Sequence, residues 1–376
     1  MPESRNRIYL DFNASTPIAP EVRTTMTTLL EEPFGNPSSS HWAGTPAKEA
    51  VEKARAQVAA LLGAKPGEIV FTSGGSEANN HALKGVFFAA GSSDVHIITT
   101  QIEHPAITNP CRFLEKLGAK VTYLAVDGAG GVDPDDVRRA LQPSTRLISV
   151  MHANNETGTL QPITEIAHLV KGTGVLLHTD AAQSVGKIRC NVQELGVDLL
   201  SVAGHKLYAP KGVGALYIRE GVSLMPLIHG AGHESGRRAG TENVLLNAAL
   251  GAACELAASW IGMESVKALR DHFWNLLQAK FGEKVALIGH PTERLPNTLN
   301  VGFVGQVGAE ILSRIPRLAA STGSACHSGN VEMSPVLHAM RVPPQIGMGA
   351  IRFSLGRGTT KEEIETVVEL IGQVLV

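Results

Sequence analysis

Over roughly the first 220 residues, short and mostly continuous apolar runs alternate with longer stretches of helical period. The runs that predict strands are Ile69–Thr72, Val95–Thr100, Val121–Val126, Leu147–Met151, Val175–Thr179, Leu199–Val202 and Val213–Ile218. Several lack the in-out alternation of a half-exposed strand, so both of their faces must be covered. Between them lie helical segments, of which Pro46–Leu62 is the clearest. Thr45 is its expected N-cap, Pro46 suits its first turn, and Gly63 can end it. Val51, Ala54, Val58 and Leu61 mark one face of this helix. Strands alternating with helices predict an α/β sheet. A glycine-rich stretch, His229–Gly240, then leads into a helical pattern over Asn243–Ala258. From about residue 260 the texture changes to a long helix, short strands (Thr298–Phe303, Ala350–Leu355) and a last helix over Lys361–Leu375. This part predicts a second, smaller domain.

The length of 376 residues suits two domains, and 43% apolar residues can fill their cores. Lys and Arg total 33 against 35 Asp and Glu, a formal charge of -2. That balance gives no electrostatic reason to expect nucleic acid or an acidic membrane surface as a partner. The 4 cysteines, Cys111, Cys190, Cys254 and Cys326, form no C-x-x-C pair and no disulfide-like framework. The first residues, from Met1 to Arg5, lack the apolar run of a signal peptide, and no uncharged apolar stretch reaches membrane-spanning length. A cytoplasmic protein is expected.

Ligands of open α/β sheets sit beyond the carboxyl ends of the strands. Just past the expected strands lie Ser73-Gly74-Gly75-Ser76-Glu77, His104, Asn154-Asn155-Glu156, Asp180-Ala181-Ala182-Gln183 and Gly204-His205-Lys206. Five polar clusters therefore converge on one rim. Ser73–Ser76, between a strand and a helix, can bring backbone N–H groups to an anion, or can be an ordinary glycine turn. Lys206 interrupts an apolar stretch. Buried, it would have a lowered pKa and suit a Schiff base; otherwise it is a solvated loop lysine. Asp180 can hold a pyridinium nitrogen protonated, or cap a helix beginning at Ala181. Gln183 can reach a ring hydroxyl, and His104 can cover a flat ring or move protons. Each has a plain alternative as a surface amide or a packing imidazole.

Cys326 lies among small residues, Ser321 to Asn330, a composition that predicts a mobile, exposed loop with a reactive thiol. The other three cysteines suit buried structural positions better. Arg352, in Ile351-Arg352-Phe353-Ser354, offers a planar fork for a carboxylate, or is a surface arginine on an edge strand.

Taken together these motifs resemble the cysteine desulfurase and selenocysteine lyase family among the fold type I pyridoxal-phosphate (PLP) enzymes. The resemblance runs from Tyr9-Leu10-Asp11-Phe12-Asn13-Ala14-Ser15-Thr16-Pro17 through Gly35-Asn36-Pro37-Ser38-Ser39, Phe71–Asn80 and Glu103-His104-Pro105-Ala106. It continues with Asn154–Gly158, His178–Gln183, Gly204-His205-Lys206 and Arg238–Asn243, and ends at Ser324-Ala325-Cys326 and Arg352-Phe353-Ser354. It implies a large domain, residues 16–258, with a seven-stranded, mainly parallel sheet. A smaller α+β domain, from residues 1–15 and 259–376, would carry the catalytic cysteine.

The resemblance also implies roles. Lys206 would carry PLP, Asp180 face its pyridine nitrogen, Gln183 its ring oxygen, and His104 stack on the ring. Gly75, Ser76 and His205 would hold the phosphate, and Thr241 would reach the phosphate of a second subunit in a homodimer. Asn155 and Arg352 would grip the substrate carboxylate, with Asn13 nearby. Cys326 would take sulfur from L-cysteine as a persulfide and pass it to an acceptor protein. The alternative is a lyase that frees selenium from L-selenocysteine. A PLP aminotransferase would not need Cys326, and an inactive scaffold would not need Lys206 or Asp180. Three positions depart from the common pattern. Ala203 stands where many members have Ser, Ala209 where a Gly is common, and His233 where a Gln is frequent. No metal is expected, nor an extended C-terminal tail for docking a scaffold.

Overall fold

The computed structural model describes residues 7–31, 34–322, 324–327 and 330–375; the side chains of 324–327, 330 and 331 lie outside the described set. Seven strands form the large sheet: β1 (Ile69–Thr72), β2 (His96–Thr100), β3 (Lys120–Leu124), β4 (Thr145–Ser149), β5 (Leu176–Asp180), β6 (Leu199–Ala203) and β7 (Gly214–Ile218). Their spatial order is β1-β7-β6-β5-β4-β2-β3. β7 runs antiparallel to β1 and β6, and the other pairs are parallel. The α/β sheet and its strands lie where the apolar runs place them.

Successive residues explain why those runs do not alternate with polar ones. Ile69, Phe71, Ile148, Leu200 and Ala215 enter one apolar cluster, whereas Val70, Leu147, Leu199 and Leu216 enter another. Neighbouring side chains point to opposite faces of a strand, so a helix layer covers each face. The helix Gly44–Leu62 buries Val51, Ala54 and Val58 in the first cluster, with Leu61 half-buried at its margin. It ends at Gly63 in the left-handed conformation, φ 65°. Its beginning corrects the expected cap. The helix starts at Gly44, and Thr45 lies inside it, its hydroxyl donating to the His41 carbonyl at 3.2 Å.

The second sheet holds Ser321–Thr322, Ala350–Ser354, Thr298–Phe303 and Val285–Ile288, in that order and antiparallel. It packs against helices Glu264–Phe281 and Lys361–Val374 through Phe273, Leu299, Val301, Phe353, Ile364 and Val367. Ile8 and Leu10 join this core, and Ile8–Tyr9 pairs with Leu318–Ala319. The N-terminal segment thus joins the second core at Ile8 and Leu10 and the first core from Ala19 onward. Among the described residues no helix is long and apolar enough to cross a membrane.

Candidate active site

A cavity of about 620 Å³ opens at the carboxyl ends of β1, β2, β4, β5 and β6. Gly75, Ser76, His104, Asn155, Asp180, Gln183, His205 and Lys206 line it, and Asn13 and Arg352 close it from the side of the second sheet. Ten residues singled out along the sequence therefore meet in one place.

Asp180, the last residue of β5, is 7% exposed. One carboxylate oxygen accepts from the Ala182 amide at 2.9 Å, and the other from the Asn79 side chain at 2.7 Å. The helix cap that Asp180 might have supplied is absent, because Ala181–Val185 form turns. Asn79, inside the Phe71–Asn80 motif, thus fixes the Asp180 carboxylate. His104 caps the helix Pro105–Glu115, its Nδ1 accepting from the Ala106 amide at 3.1 Å. In the neutral ring the proton then sits on Nε2. Burial lowers its pKa, with Lys206 adding to the effect and Asp180 opposing it.

Lys206 ends a single helical turn, Gly204–Lys206, just after β6. Its ammonium donates to the carbonyls of Asn13, at 2.5 Å, and Ala14, at 2.9 Å. Burial, aided by the Arg352 charge and opposed by Asp11 and Asp180, lowers its pKa to about 8. An amine that loses its proton so near neutrality is a usable nucleophile and base.

The helix Gly75–Ala89 has Gly74 as its cap, with no side chain to satisfy the first-turn N–H groups. Gly74 sits at φ 149°, a conformation that favours glycine. Gly214 of β7 lies beneath it: a Cβ there would come within 2.7 Å of the Gly74 Cα. These glycines bring a helix N-terminus, whose free N–H groups can receive an anion, to the cavity wall. His205 stands beside it, 3.4 Å from the Ser15 hydroxyl. Burial lowers the His205 pKa to about 4, so the ring is neutral at physiological pH. Ala203 also lines this wall and offers no hydroxyl. Thr241 does not line the cavity; it is exposed on the loop beyond Ser73 and Gly212.

Arg352 is not on an edge strand. Ala350–Ser354 lies between two neighbours, and Arg352 is 8% exposed. Its guanidinium donates to the Asn155 carbonyl at 2.9 Å, to Asp11 at 2.7 Å and to the Ser321 hydroxyl at 3.0 Å. Its Nε is buried without a partner among the described residues, a donor left over for a ligand. Asn13 is 1% exposed, and its side chain is held by Thr298, Asn155, Asn297 and Lys187.

Cys326 falls in a stretch expected to be a mobile loop. Its backbone instead forms a hairpin: Ser324–His327 pairs with Asn330–Met333, and Cys326 opposes Val331. Small residues carry little strand signal, so this composition is as compatible with a paired strand as with a loop. The Cys326 side chain lies outside the described residues. Cys111, Cys190 and Cys254 are buried and unpaired, and burial raises each thiol pKa to about 12.

Sequence reasoning missed three further groups around the cavity. Asp11 holds Arg352. Lys187 lies buried behind Gln183. Glu103, next to His104, is buried, accepts from Thr100 and the Met151 amide, and is pushed up to about 8 by desolvation. Asp11 and Glu103 stand in quoted motifs, but nothing in their immediate neighbours distinguishes them.

The donor set fits PLP. A lysine of lowered pKa, a fixed carboxylate, a neutral histidine and a helix N-terminus stand around one cavity, matching an aldehyde, a ring nitrogen, a ring face and a phosphate. The aminotransferase class-V family profile matches residues 8–367. A protein from Dictyoglomus turgidum named cysteine desulfurase IscS is 48% identical over 99% of this chain and 95% of its own length. Cysteine desulfurase 2 of Trichormus variabilis is 50% identical over 97% of this chain and 92% of its own. Among solved structures, a NifS-like protein superposes with a TM-score of 0.92 at 36% identity, covering 98% of this chain and 99% of that one.

Proposed function

The chain belongs to the cysteine desulfurases of the class-V aminotransferase family, and on that premise we propose that its cavity takes sulfur from L-cysteine, leaving L-alanine and a persulfide on Cys326. The enzyme is PLP-dependent. The observation that carries the site assignment is the meeting of Lys206, Asp180 and the Gly74–Ser76 helix start around one cavity. Selenocysteine lysis has no comparable support, since the relatives named above are desulfurases.

When bound, PLP supplies a carbonyl that captures the substrate amine and a ring that withdraws electrons from the α-carbon. Lys206 carries the cofactor and then moves the proton of the substrate α-carbon. Asp180, held by Asn79, keeps a proton on the ring nitrogen. Gln183 donates to the ring oxygen, and His104 covers the ring face. Gly75, Ser76 and His205 hold the phosphate. Arg352 and Asn155 orient the substrate carboxylate, and Asn13 supplies the carbonyl that steadies Lys206. The Cys326 thiolate attacks the substrate sulfur: an S–S bond forms, the C–S bond breaks, and carbon keeps the bonding pair and is then protonated. Alanine leaves, and an acceptor protein receives the sulfur from Cys326.

We also propose that residues 16–258 form the cofactor domain, and that residues 1–15 with 259–376 form the domain carrying Cys326. Thr241 would reach the phosphate site of a second copy in a homodimer. Its exposure supports that placement, as do Phe34 and Trp42, whose rings meet edge to face while 83% and 80% exposed, an apolar surface suited to a second copy. The unpaired buried cysteines agree with the reducing cytoplasm as its compartment.

The purified protein, given L-cysteine and a thiol reductant, should release alanine and sulfide in equal amounts. Pyruvate and ammonia in place of alanine would mean a different reaction. An Arg352→Ala variant should bind substrate more weakly by about 2–5 kcal/mol, the usual cost of removing one partner of a buried charge pair. The effect should appear mainly in KM, and an unchanged KM would move the carboxylate grip to another residue.

A further inference from the structure

We propose that Lys187 is a positioning residue that fixes which way round the side-chain amides of Gln183 and Asn13 face the cavity. The proposal rests on the reading that Gln183 donates to the cofactor ring oxygen. Lys187 does not line the cavity. It lies one helical turn's spacing beyond Gln183 in sequence and is 5% exposed. Its Nζ donates to Gln183 Oε1 at 3.0 Å and to Asn13 Oδ1 at 3.0 Å.

A lysine amine facing an amide selects for its oxygen. Protonated, it has three donors and no acceptor. Uncharged, it still has two N–H groups for two oxygens. A flipped Gln183 would set its NH2 against these donors: facing the ammonium it would forfeit the bond, and facing the uncharged amine, whose lone pair could accept, it would leave one Lys187 N–H without an acceptor. With both oxygens drawn back to Lys187, both NH2 groups point the other way. Gln183 Nε2 donates to the Asn13 carbonyl at 3.0 Å, the same carbonyl that receives Lys206, and keeps a second hydrogen for the cavity. Asn13 Nδ2 donates to Thr298 at 2.8 Å and to the Asn155 carbonyl at 3.3 Å, and that carbonyl also receives Arg352. Lys187 therefore stands at the root of two branches, one leading to Lys206 through Gln183 and one to Arg352 through Asn13, whose oxygen also accepts from the Asn297 side chain at 3.0 Å, so that Lys187 shares the fixing of the second branch.

A role confined to filling space would favour an apolar side chain. Among the described residues Lys187 has no carboxylate partner, and its acceptors are neutral amides. Burial holds its pKa well below the lysine range, with the Lys206 and Arg352 charges adding to the effect. Burying an amine here is costly, and an apolar residue of similar volume would avoid that cost. What the amine adds is direction.

The test uses PLP titration of the cofactor-stripped protein and the pH midpoint of the bound cofactor's visible absorption band, neither of which is turnover. Gln183→Leu should raise that midpoint, because the ring oxygen loses a donor that favours its ionised form. Lys187→Met, of similar length but without donors, should shift it in the same direction and weaken PLP binding by about tenfold. In a Gln183→Leu background, Lys187→Met should add no further shift, since the residue through which it acts is gone. Additive shifts would reduce Lys187 to general support of the fold and overturn the proposal. So would a Lys187→Met spectrum like the parent's beside a shifted Gln183→Leu, while leaving the Gln183 reading intact. An unshifted Gln183→Leu would sink both. Should Lys187→Met not fold, Lys187→Gln keeps one NH2 group and should give a smaller shift in the same sense.

Discussion

A Lys206→Ala variant is expected to turn over L-cysteine at least about a thousandfold more slowly than the parent, since it loses both the group that carries the cofactor and the one that moves the α-proton. Borohydride treatment of the parent should fix PLP covalently to Lys206, and in the variant to no lysine. The pH dependence follows from the direction of the shift. Burial, with Arg352 beside it, lowers the Lys206 pKa to about 8 from an ordinary 10.5. The amine therefore sheds its proton as pH rises through about 8, and the rate at which stripped protein takes up PLP should climb across that range and then level off. A rate still climbing steeply near pH 10 would describe a solvated lysine. Lys187 is the natural rival, being buried and of lowered pKa, but it stands behind Gln183 and outside the cavity lining. Peptide mapping of the borohydride product decides between them, and an adduct on Lys187 would overturn the assignment.

What could be read from the sequence follows from how local its physical cause is. The seven strands were legible because burial on both faces removes polar residues from every position, as with Ile69, Val70 and Phe71. The rim was legible because strand ends, wherever they lie, deliver their next residues to one edge. Contacts between distant segments were not. Lys187 follows Gly186 in a turn, where a lysine is ordinarily solvated; it is buried because Asn13, 174 residues away, folds over it, while the Trp260 indole donates to the Gly186 carbonyl. Arg352 showed the right alternation, but its interior position depends on Ser321–Thr322 pairing alongside it. Asp180 could have been a cap or a ring partner from its neighbours alone. Its second oxygen is engaged by Asn79 from another helix, and no helix follows it. The hairpin at Cys326 was hidden for a different reason: small residues carry little strand signal, and the pairing with Asn330–Met333 is what defines the strand.

Replacing Cys326 by alanine should abolish alanine formation from L-cysteine while leaving PLP binding and the visible absorption band unchanged. A thiol ionises near pKa ~8.5, so the sulfur of cysteine leaves carbon poorly and has to be removed by a nucleophile. The other thiols cannot take over that task. Burial raises Cys111, Cys190 and Cys254 to about 12, so at pH 7 roughly one molecule in 10⁵ carries the thiolate at any of them, against a few per cent for an ordinary exposed thiol. Mass spectrometry of the parent after one round of reaction should find one added sulfur atom on Cys326 and none on the three buried cysteines. Adding reductant should strip it as sulfide and restore the resting mass. The unchanged absorption band is the control that separates a missing nucleophile from a misfolded cavity. Alanine released at the parent rate by a Cys326→Ala protein with an intact band would show that the sulfur leaves without attack by this thiol, and the persulfide mechanism would have to be given up.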